Sequence, residues 1–212
     1  MAAYIIIAII AYAIGSINFS VIISRKMAGF DVREKGSGNA GTTNILRTVG
    51  KRAAIVTLIC DILKGVVAIL IAWIVGKIAK NADAVLLVQI AGLLVVIGHA
   101  FPIFFEFRGG KGVATSLGVL LTMNWKIGLI CLIFAVVIIA VTRMVSMGSI
   151  GAAILFPILT LFIKEHYIVE ATGFKYFVFG ILLALLVIFQ HRENIKRIKN
   201  GTENKLSFKK AN

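Results

Sequence analysis

Seven apolar runs, separated by short polar segments, constrain this chain more than any other feature of its sequence. They lie at about residues 4–23, 53–75, 84–105, 112–123, 126–141, 145–163 and 173–190. A helix of about 20 apolar residues crosses the roughly 30 Å hydrocarbon core of a bilayer, and most of the runs approach that length. Because 59% of the 212 residues are hydrophobic and only 15% are charged, little is left for a separate soluble domain. We therefore expect an all-α integral membrane protein in which residues 1–212 form a single transmembrane domain.

The run at 112–123 is too short to cross a bilayer unaided, because its residues span only about 18 Å as a helix. The distribution of Lys and Arg decides how to count it. With the N-terminus outside and seven crossings, 17 of the 23 Lys and Arg residues fall inside, as the positive-inside rule requires. Without the short crossing, the cation-rich tail would lie outside. We predict seven transmembrane helices, one of them short, with the N-terminus outside and the C-terminus inside.

The formal net charge of +14 would suggest nucleic acid binding in a soluble protein. Here topology and anionic membrane lipid account for most of the excess cations. We therefore expect contacts with membrane lipid and no nucleic acid partner.

The first polar motif lies at residues 36–47 and reads GSGNAGTTNILR. Its glycines allow backbone amides to converge into a nest that binds an anion. Short hydrogen-bonding side chains and one cation accompany them: Ser37, Asn39, Thr43, Asn44 and Arg47. A flexible interfacial loop is the alternative, but the density of groups suited to phosphate favours a binding site.

The second motif, at residues 98–115, reads GHAFPIFFEFRGGKGVAT. Gly109, Gly110 and Lys111 directly precede the apolar run that begins at Gly112, so free amides, a helix N-terminus and a lysine could together hold a phosphate. The spacing does not fit a Walker A loop, which needs GxxxxGK[ST]. A tight interfacial turn with snorkelling cations is the alternative.

The third motif, at residues 191–203, reads HRENIKRIKNGTE. His191 and Asn194 are three residues apart and share one face of a helix. The neighbouring cations are explained by the helix dipole and by anionic head groups. That explanation leaves His191, Asn194 and Glu203 unaccounted for, and these become candidate site residues.

Within the second apolar run, Asp61 and Lys64 stand three residues apart. A charged side chain near the centre of a membrane helix is expensive, so we expect the two to face inward and pair. Sequence patterns for a serine nucleophile elbow or a zinc protease are absent, and so is the H-x4-D pattern of one glycerolipid acyltransferase family. We predict no metal and no cofactor.

The three motifs, in this order and on one membrane face, resemble those of the bacterial glycerol-3-phosphate acyltransferases that use acyl phosphate as donor. The resemblance covers essentially the whole chain. It has one departure: Asn18 follows Gly-Ser-Ile, where the family has proline.

The resemblance implies transfer of an acyl group from a long-chain acyl phosphate to the 1-hydroxyl of glycerol 3-phosphate. The products would be lysophosphatidic acid and phosphate, in the first acylation step of phospholipid synthesis. It also implies a multi-pass protein of the bacterial cytoplasmic (inner) membrane, coupled to the soluble enzyme that makes acyl phosphate. Carried over by position, Ser37, Lys111 and His191 would be catalytic.

The same carry-over assigns substrate binding to the other motif residues, namely Arg47, Asn39, Thr43, Asn44, Gly109, Gly110, Gly112, Asn194 and Glu203. A membrane carrier for a small phosphorylated anion is the alternative, since transporters also bind anions at the ends of broken helices. A carrier would need its polar groups near the midplane, whereas these motifs crowd one face.

Overall fold

The computed structural model describes residues 1–79, 81–163 and 174–206. These residues form α-helices and two short 3₁₀ turns and include no β-strand, which confirms the all-α class. The helices are α1 (Ala2–Gly15), α2 (Phe19–Ala28), α3 (Thr42–Thr48), α4 (Lys51–Ile78), α5 (Ala84–Ala100), α6 (Val113–Met123), α7 (Trp125–Thr142), α8 (Val145–Phe162), α9 (Phe174–Gln190) and α10 (Arg192–Lys199).

Five helical segments in the described residues are long and apolar enough to cross a membrane. A sixth is added if α9 and α10, which meet at a bend of 61°, are counted as one span. The short run is the eleven-residue helix α6. Residue 173, where the last predicted span begins, lies outside the described residues.

The first apolar run is two helices rather than one. Helix α1 ends at Gly15, and α2 begins at Phe19 after a break at residues 16–18. The Asn18 side chain caps α2 by accepting a hydrogen bond from the Val21 amide at 3.3 Å, and Lys64 Nζ donates to the carbonyl oxygens of Gly15 and Ile17 at 3.1 and 3.0 Å. A break inside a bilayer is tolerated because these partners satisfy the freed backbone groups.

Lys64 Nζ also lies 2.9 Å from Asp61 Oδ1. Both side chains are buried, with relative exposures of 4% and 2%. The prediction that these two charges face inward and pair is confirmed.

Helix α6 packs closely against α4 through two glycines. A Cβ on Gly65 would lie 3.0 Å from the Val119 amide nitrogen and closer still to the Thr115 carbonyl oxygen, and a Cβ on Gly118 would collide with the Ile62 carbonyl. The contact places the start of α6 beside the middle of α4.

An ion-pair cluster ties the first polar loop to the second. Asp31 pairs with Arg33 at 2.8 Å and with Arg25 at 2.9 Å, and Arg33 Nη1 donates to the Phe105 carbonyl at 2.8 Å. Burial would raise the pKa of Asp31, but hydrogen bonds from Arg33 and Arg25 lower it to about 2. The cluster holds the first two motifs together at one end of the helices, which we call the motif end.

Candidate active site

A cavity of about 270 Å³ at the motif end draws its lining from all three motifs. Ten of the predicted site residues line it: Ser37, Asn39, Thr43, Asn44, Arg47, Lys111, Gly112, His191, Asn194 and Glu203. Residues more than 150 positions apart in the sequence therefore surround one space.

His191 lies at the bend between α9 and α10 and is only 2% exposed. Its Nδ1 lies 2.7 Å from the carbonyl oxygen of Val187. A carbonyl oxygen only accepts, so Nδ1 carries the proton and Nε2 of the neutral ring is left as a hydrogen-bond acceptor. The bend brings this ring to the cavity.

Glu203 is the centre of a buried hydrogen-bond network. Its Oε1 accepts from Ser146 Oγ at 2.8 Å and from Asn194 Nδ2 at 2.6 Å, and its Oε2 accepts from Arg197 Nε at 2.8 Å. Asn194 Oδ1 in turn accepts a hydrogen bond from Lys111 Nζ. Glu203 therefore fixes the orientation of Asn194, which in turn contacts the lysine of the second motif.

The charges around the cavity favour an anion. Burial, together with the nearby Arg197 and Arg47, lowers the pKa of Lys111 from 10.5 to about 8, although Glu203 acts in the opposite direction. Burial would raise the pKa of Glu203, but hydrogen bonds from Asn194, Ser146 and Arg197 hold it below its usual value. Glu203 is paired with Arg197, and among the described residues no carboxylate forms an ion pair with Lys111 or Arg47.

The first motif folds around the side chain of Asn44, which is buried. Its Oδ1 accepts from the Ser37 amide at 2.9 Å, and its Nδ2 donates to the carbonyls of Val32, Lys35 and Asn39 at 3.0 to 3.1 Å. Asn44 lines the cavity, but its polar atoms are engaged by the loop's own backbone. Its position therefore stabilises the loop that carries Ser37 and Asn39.

The second motif departs from the prediction in how its amides are used. The amides of Gly109 and Gly110 donate to the carbonyls of Ala100 and His99 at 3.2 and 3.1 Å, and neither glycine lines the cavity. They are not the free amides that the sequence suggested, because the loop folds back on the end of α5.

Gly112 does line the cavity, and it precedes α6 with φ of 80°, a left-handed conformation that favours glycine. The amides of the first three residues of α6, Val113, Ala114 and Thr115, have no backbone acceptor within the described part of the chain. The free amides of the second motif are therefore those at the α6 N-terminus, directly after Lys111.

An apolar groove of about 90 Å³ continues from the cavity between α6 and α7 on one side and α8 and α9 on the other. The cavity and the groove share five lining residues, namely Val113, Leu117, Leu132, Ala135 and Ser149. The groove reaches as far as Phe156, which packs edge-on against Tyr176 and Phe179. A cavity lined by both polar and apolar side chains thus adjoins an apolar groove.

Seven further polar side chains line the cavity although the sequence assigned them no role in the site: Thr42, Asp61, His99, Ser146, Ser149, Arg197 and Asn204. In the sequence, the helix dipole and lipid head groups explain the cations of the third motif, which include Arg197, and an ion pair explains Asp61. A signal for Ser146 existed, since it is a polar residue near the start of an apolar run.

Comparison with known proteins agrees with this geometry. The sequence model of a family described as glycerol-3-phosphate acyltransferase matches residues 5–201. The glycerol-3-phosphate acyltransferase of Clostridioides difficile (strain 630) is 44% identical over 211 residues, covering 98% of this chain and 97% of that protein. The enzyme of the same name from Thermoanaerobacter sp. (strain X514) is 45% identical over 203 residues and covers 95% of each chain.

Two crystal structures of PlsY (YgiH), an integral membrane glycerol 3-phosphate acyltransferase, have the same fold. The glycerol 3-phosphate form superposes with a TM-score of 0.82 at 36% identity and covers 96% of each chain. The lysophosphatidic acid form gives a TM-score of 0.80 at 34% identity and covers 96% of this chain and 95% of that one. All of these relatives are acyltransferases, which decides between the enzyme and the carrier that the sequence left open. The chain belongs to the glycerol-3-phosphate acyltransferase family and is a membrane-integral acyltransferase of phospholipid synthesis.

Proposed function

We propose that this enzyme transfers an acyl group from a long-chain acyl phosphate to the 1-hydroxyl of glycerol 3-phosphate. The hydroxyl oxygen bonds to the acyl carbon, the bond from that carbon to the phosphate oxygen breaks, and the hydroxyl proton leaves with the released phosphate. The products are lysophosphatidic acid and phosphate. The observation that carries the proposal is the continuity of a cation-lined cavity with an apolar groove, since an acyl phosphate has one part suited to each.

The donor chemistry matches the residues present. An acyl phosphate is a mixed anhydride and is already activated, so positioning and charge stabilisation can provide the catalysis. Both substrates carry phosphate, and the cations Arg47 and Lys111 line the cavity. The related PlsY structures in glycerol 3-phosphate and lysophosphatidic acid forms support the acceptor and the product.

Each motif has a role in this proposal. Lys111, Gly112 and the amides at the α6 N-terminus hold the head of the acyl phosphate. Arg47 and Asn194 orient glycerol 3-phosphate. Ser37 positions the attacking hydroxyl, and His191 Nε2 accepts that hydroxyl's hydrogen bond because Nδ1 is committed to Val187.

The other predicted site residues have supporting roles. Asn39 and Thr43 line the cavity close to the acceptor. Asn44 shapes the first loop, and Glu203 orients Asn194. Gly109 and Gly110 anchor the second loop to α5, and this anchoring fixes the position of the Lys111 backbone.

The acyl chain lies in the apolar groove, where membrane lipid can reach it. We place the enzyme in the bacterial cytoplasmic membrane with seven crossings, the N-terminus outside and the motif end inside. This orientation presents the cavity to cytoplasmic glycerol 3-phosphate and to the soluble enzyme that supplies acyl phosphate.

The test uses purified protein with palmitoyl phosphate and glycerol 3-phosphate. We expect phosphate and lysophosphatidic acid to appear in equal amounts. Palmitoyl-CoA replaces palmitoyl phosphate in the control reaction and should give no product. Product from palmitoyl-CoA alone would refute the donor assignment.

A matched pair of variants tests the site. Lys111→Met should abolish turnover, whereas Lys26→Met, an exposed lysine of α2 outside the cavity, should leave it unchanged. If both variants retain wild-type turnover, Lys111 does not belong to the active site.

A further inference from the structure

Three ionisable side chains form a buried group behind the cavity, and the reaction described above does not use them. Asp61, Lys64 and His99 have relative exposures of 2%, 4% and 5%. We call them the buried triad. Two of them, Asp61 and His99, also line the cavity.

One end of the buried triad is explained by the fold. Lys64 Nζ forms an ion pair with Asp61 Oδ1 at 2.9 Å. It also donates hydrogen bonds to the carbonyls of Gly15 and Ile17 at 3.1 and 3.0 Å. Lys64 therefore stabilises the break between α1 and α2.

The other end reaches the second motif. His99 Nδ1 lies 3.5 Å from the same oxygen of Asp61. The opposite edge of the ring packs against Gly110, because a Cβ added to Gly110 would collide with His99 Nε2. The carbonyl of His99 also accepts the Gly110 amide at 3.1 Å, so one residue holds Gly110 by both its ring and its backbone.

Gly110 is the residue before Lys111, and Lys111 reaches the cavity from there. Its side chain has one direct hydrogen bond within the described residues, to Asn194. The placement of the lysine ammonium group therefore depends on the backbone at Gly110. Displacement of a catalytic group by about 1 Å can lower a rate by about 100-fold.

We infer that Asp61 and His99 are positioning residues for acyl transfer: Asp61 orients the His99 ring, and His99 fixes Gly110 and thereby holds Lys111 at the substrate phosphate. This inference rests on the proposed function. It gives Asp61 a role beyond neutralising Lys64. A purely structural ion pair would need no histidine beside it and no contact with the second motif.

Two variants separate the two roles. His99→Phe keeps the ring volume against Gly110 but cannot bind Asp61. The double variant Asp61→Asn with Lys64→Met removes both buried charges together, which avoids leaving an unpaired charge in the interior. The control is Gln89→Leu, a buried polar residue on the same helix as His99 that does not line the cavity.

The readouts are the kcat and the KM for glycerol 3-phosphate, measured in the palmitoyl phosphate assay. Both the His99 variant and the double variant should lower kcat by at least about tenfold, because Lys111 is displaced, while the KM for glycerol 3-phosphate changes less than about threefold. The triple variant should be no slower than the slower of the two, because residues that act through one path are not additive. Gln89→Leu should keep wild-type kcat.

The inference is overturned if His99→Phe keeps kcat within about twofold of wild type, or if the two losses multiply in the triple variant. If the double variant does not accumulate in membranes, His99→Phe decides alone, since it leaves the Asp61–Lys64 ion pair in place. Absence of turnover by the wild-type protein would instead refute the proposed function.

Discussion

Loss of the Lys111 proton should lower the activity of the enzyme at alkaline pH. Burial and the nearby Arg197 and Arg47 lower the pKa of Lys111 from 10.5 to about 8, a shift worth about 3 kcal/mol at 1.36 kcal/mol per unit. The pH dependence of kcat/KM reports groups of the free enzyme. We therefore expect kcat/KM to fall about tenfold per pH unit above about pH 8, as the ammonium loses its proton.

Neither Glu203 nor the substrate phosphates explain such a decrease in kcat/KM above pH 8. The pKa of Glu203 is held below its usual value, so that carboxylate is ionised well before pH 8. The second pKa of a phosphate ester is about 6, so the substrates have also finished titrating.

The assay is phosphate release at limiting substrate between pH 6.5 and 10, with folding checked at each pH. Lys111→Arg provides the diagnostic comparison, because a guanidinium stays protonated throughout this pH range. The Lys111→Arg enzyme should be slower than wild type, and its kcat/KM should not fall near pH 8. A wild-type profile that stays flat to pH 10, or a limb that persists in Lys111→Arg, would refute the assignment of Lys111 as the phosphate-binding cation.

The same pKa shift has a consequence for stability. Because the folded pKa of Lys111 is lower than the unfolded one, the unfolded chain binds more protons between about pH 8 and 10.5, and the empty protein becomes more stable as pH rises through that window. Lys111→Met should therefore raise the free energy of unfolding below pH 8 by up to about 3 kcal/mol. Thermal unfolding in detergent measures this, and a destabilised variant would contradict it.

Three further predictions concern other parts of the site and fold. Arg47→Ala should raise the KM for glycerol 3-phosphate at least about tenfold, whereas Arg52→Ala, outside the cavity, should not change it; equal effects would remove Arg47 from the site. The folded pKa of Asp31 is lowered to about 2, so its carboxylate stabilises the fold above about pH 4, and that contribution is lost as pH falls through about 2. Asp31→Asn should cost about 2 kcal/mol at pH 7 in thermal unfolding and remove the acid dependence. Gly65→Ala should lower both the unfolding temperature and the activity, because the added methyl group would lie 3.0 Å from the Val119 amide and separate α4 from α6; an unchanged unfolding temperature would contradict that contact.

The fold class was predictable mainly from the composition and from the local pattern of apolar residues. Apolar run lengths indicate membrane helices because only an internally hydrogen-bonded segment is stable in hydrocarbon. The pairing of Asp61 with Lys64 was predictable for a similar reason, since two opposite charges three residues apart in an apolar helix have few other partners. The break at residues 16–18 was not predictable in this way, because its carbonyls are satisfied by Lys64 from a different helix.

The candidate site was also predictable from the sequence only in part. Clustered glycines, cations and short polar side chains favour phosphate binding at the first two motifs, because these groups suit anions. The sequence does not specify which amides are free. In the sequence, Gly109 and Gly110 are suited to binding a phosphate. In the structure, their amides donate hydrogen bonds to carbonyls at the end of α5.

What the sequence alone determined is therefore the class of protein, the three motifs and the family to which they belong. The tertiary structure alone decided the partners: Glu203 accepts from Ser146 and Asn194, and His99 lies against Gly110. The physical reason is that hydrogen bonds between distant segments depend on how helices pack, and that packing is set by side-chain shapes along whole interfaces rather than by any short pattern.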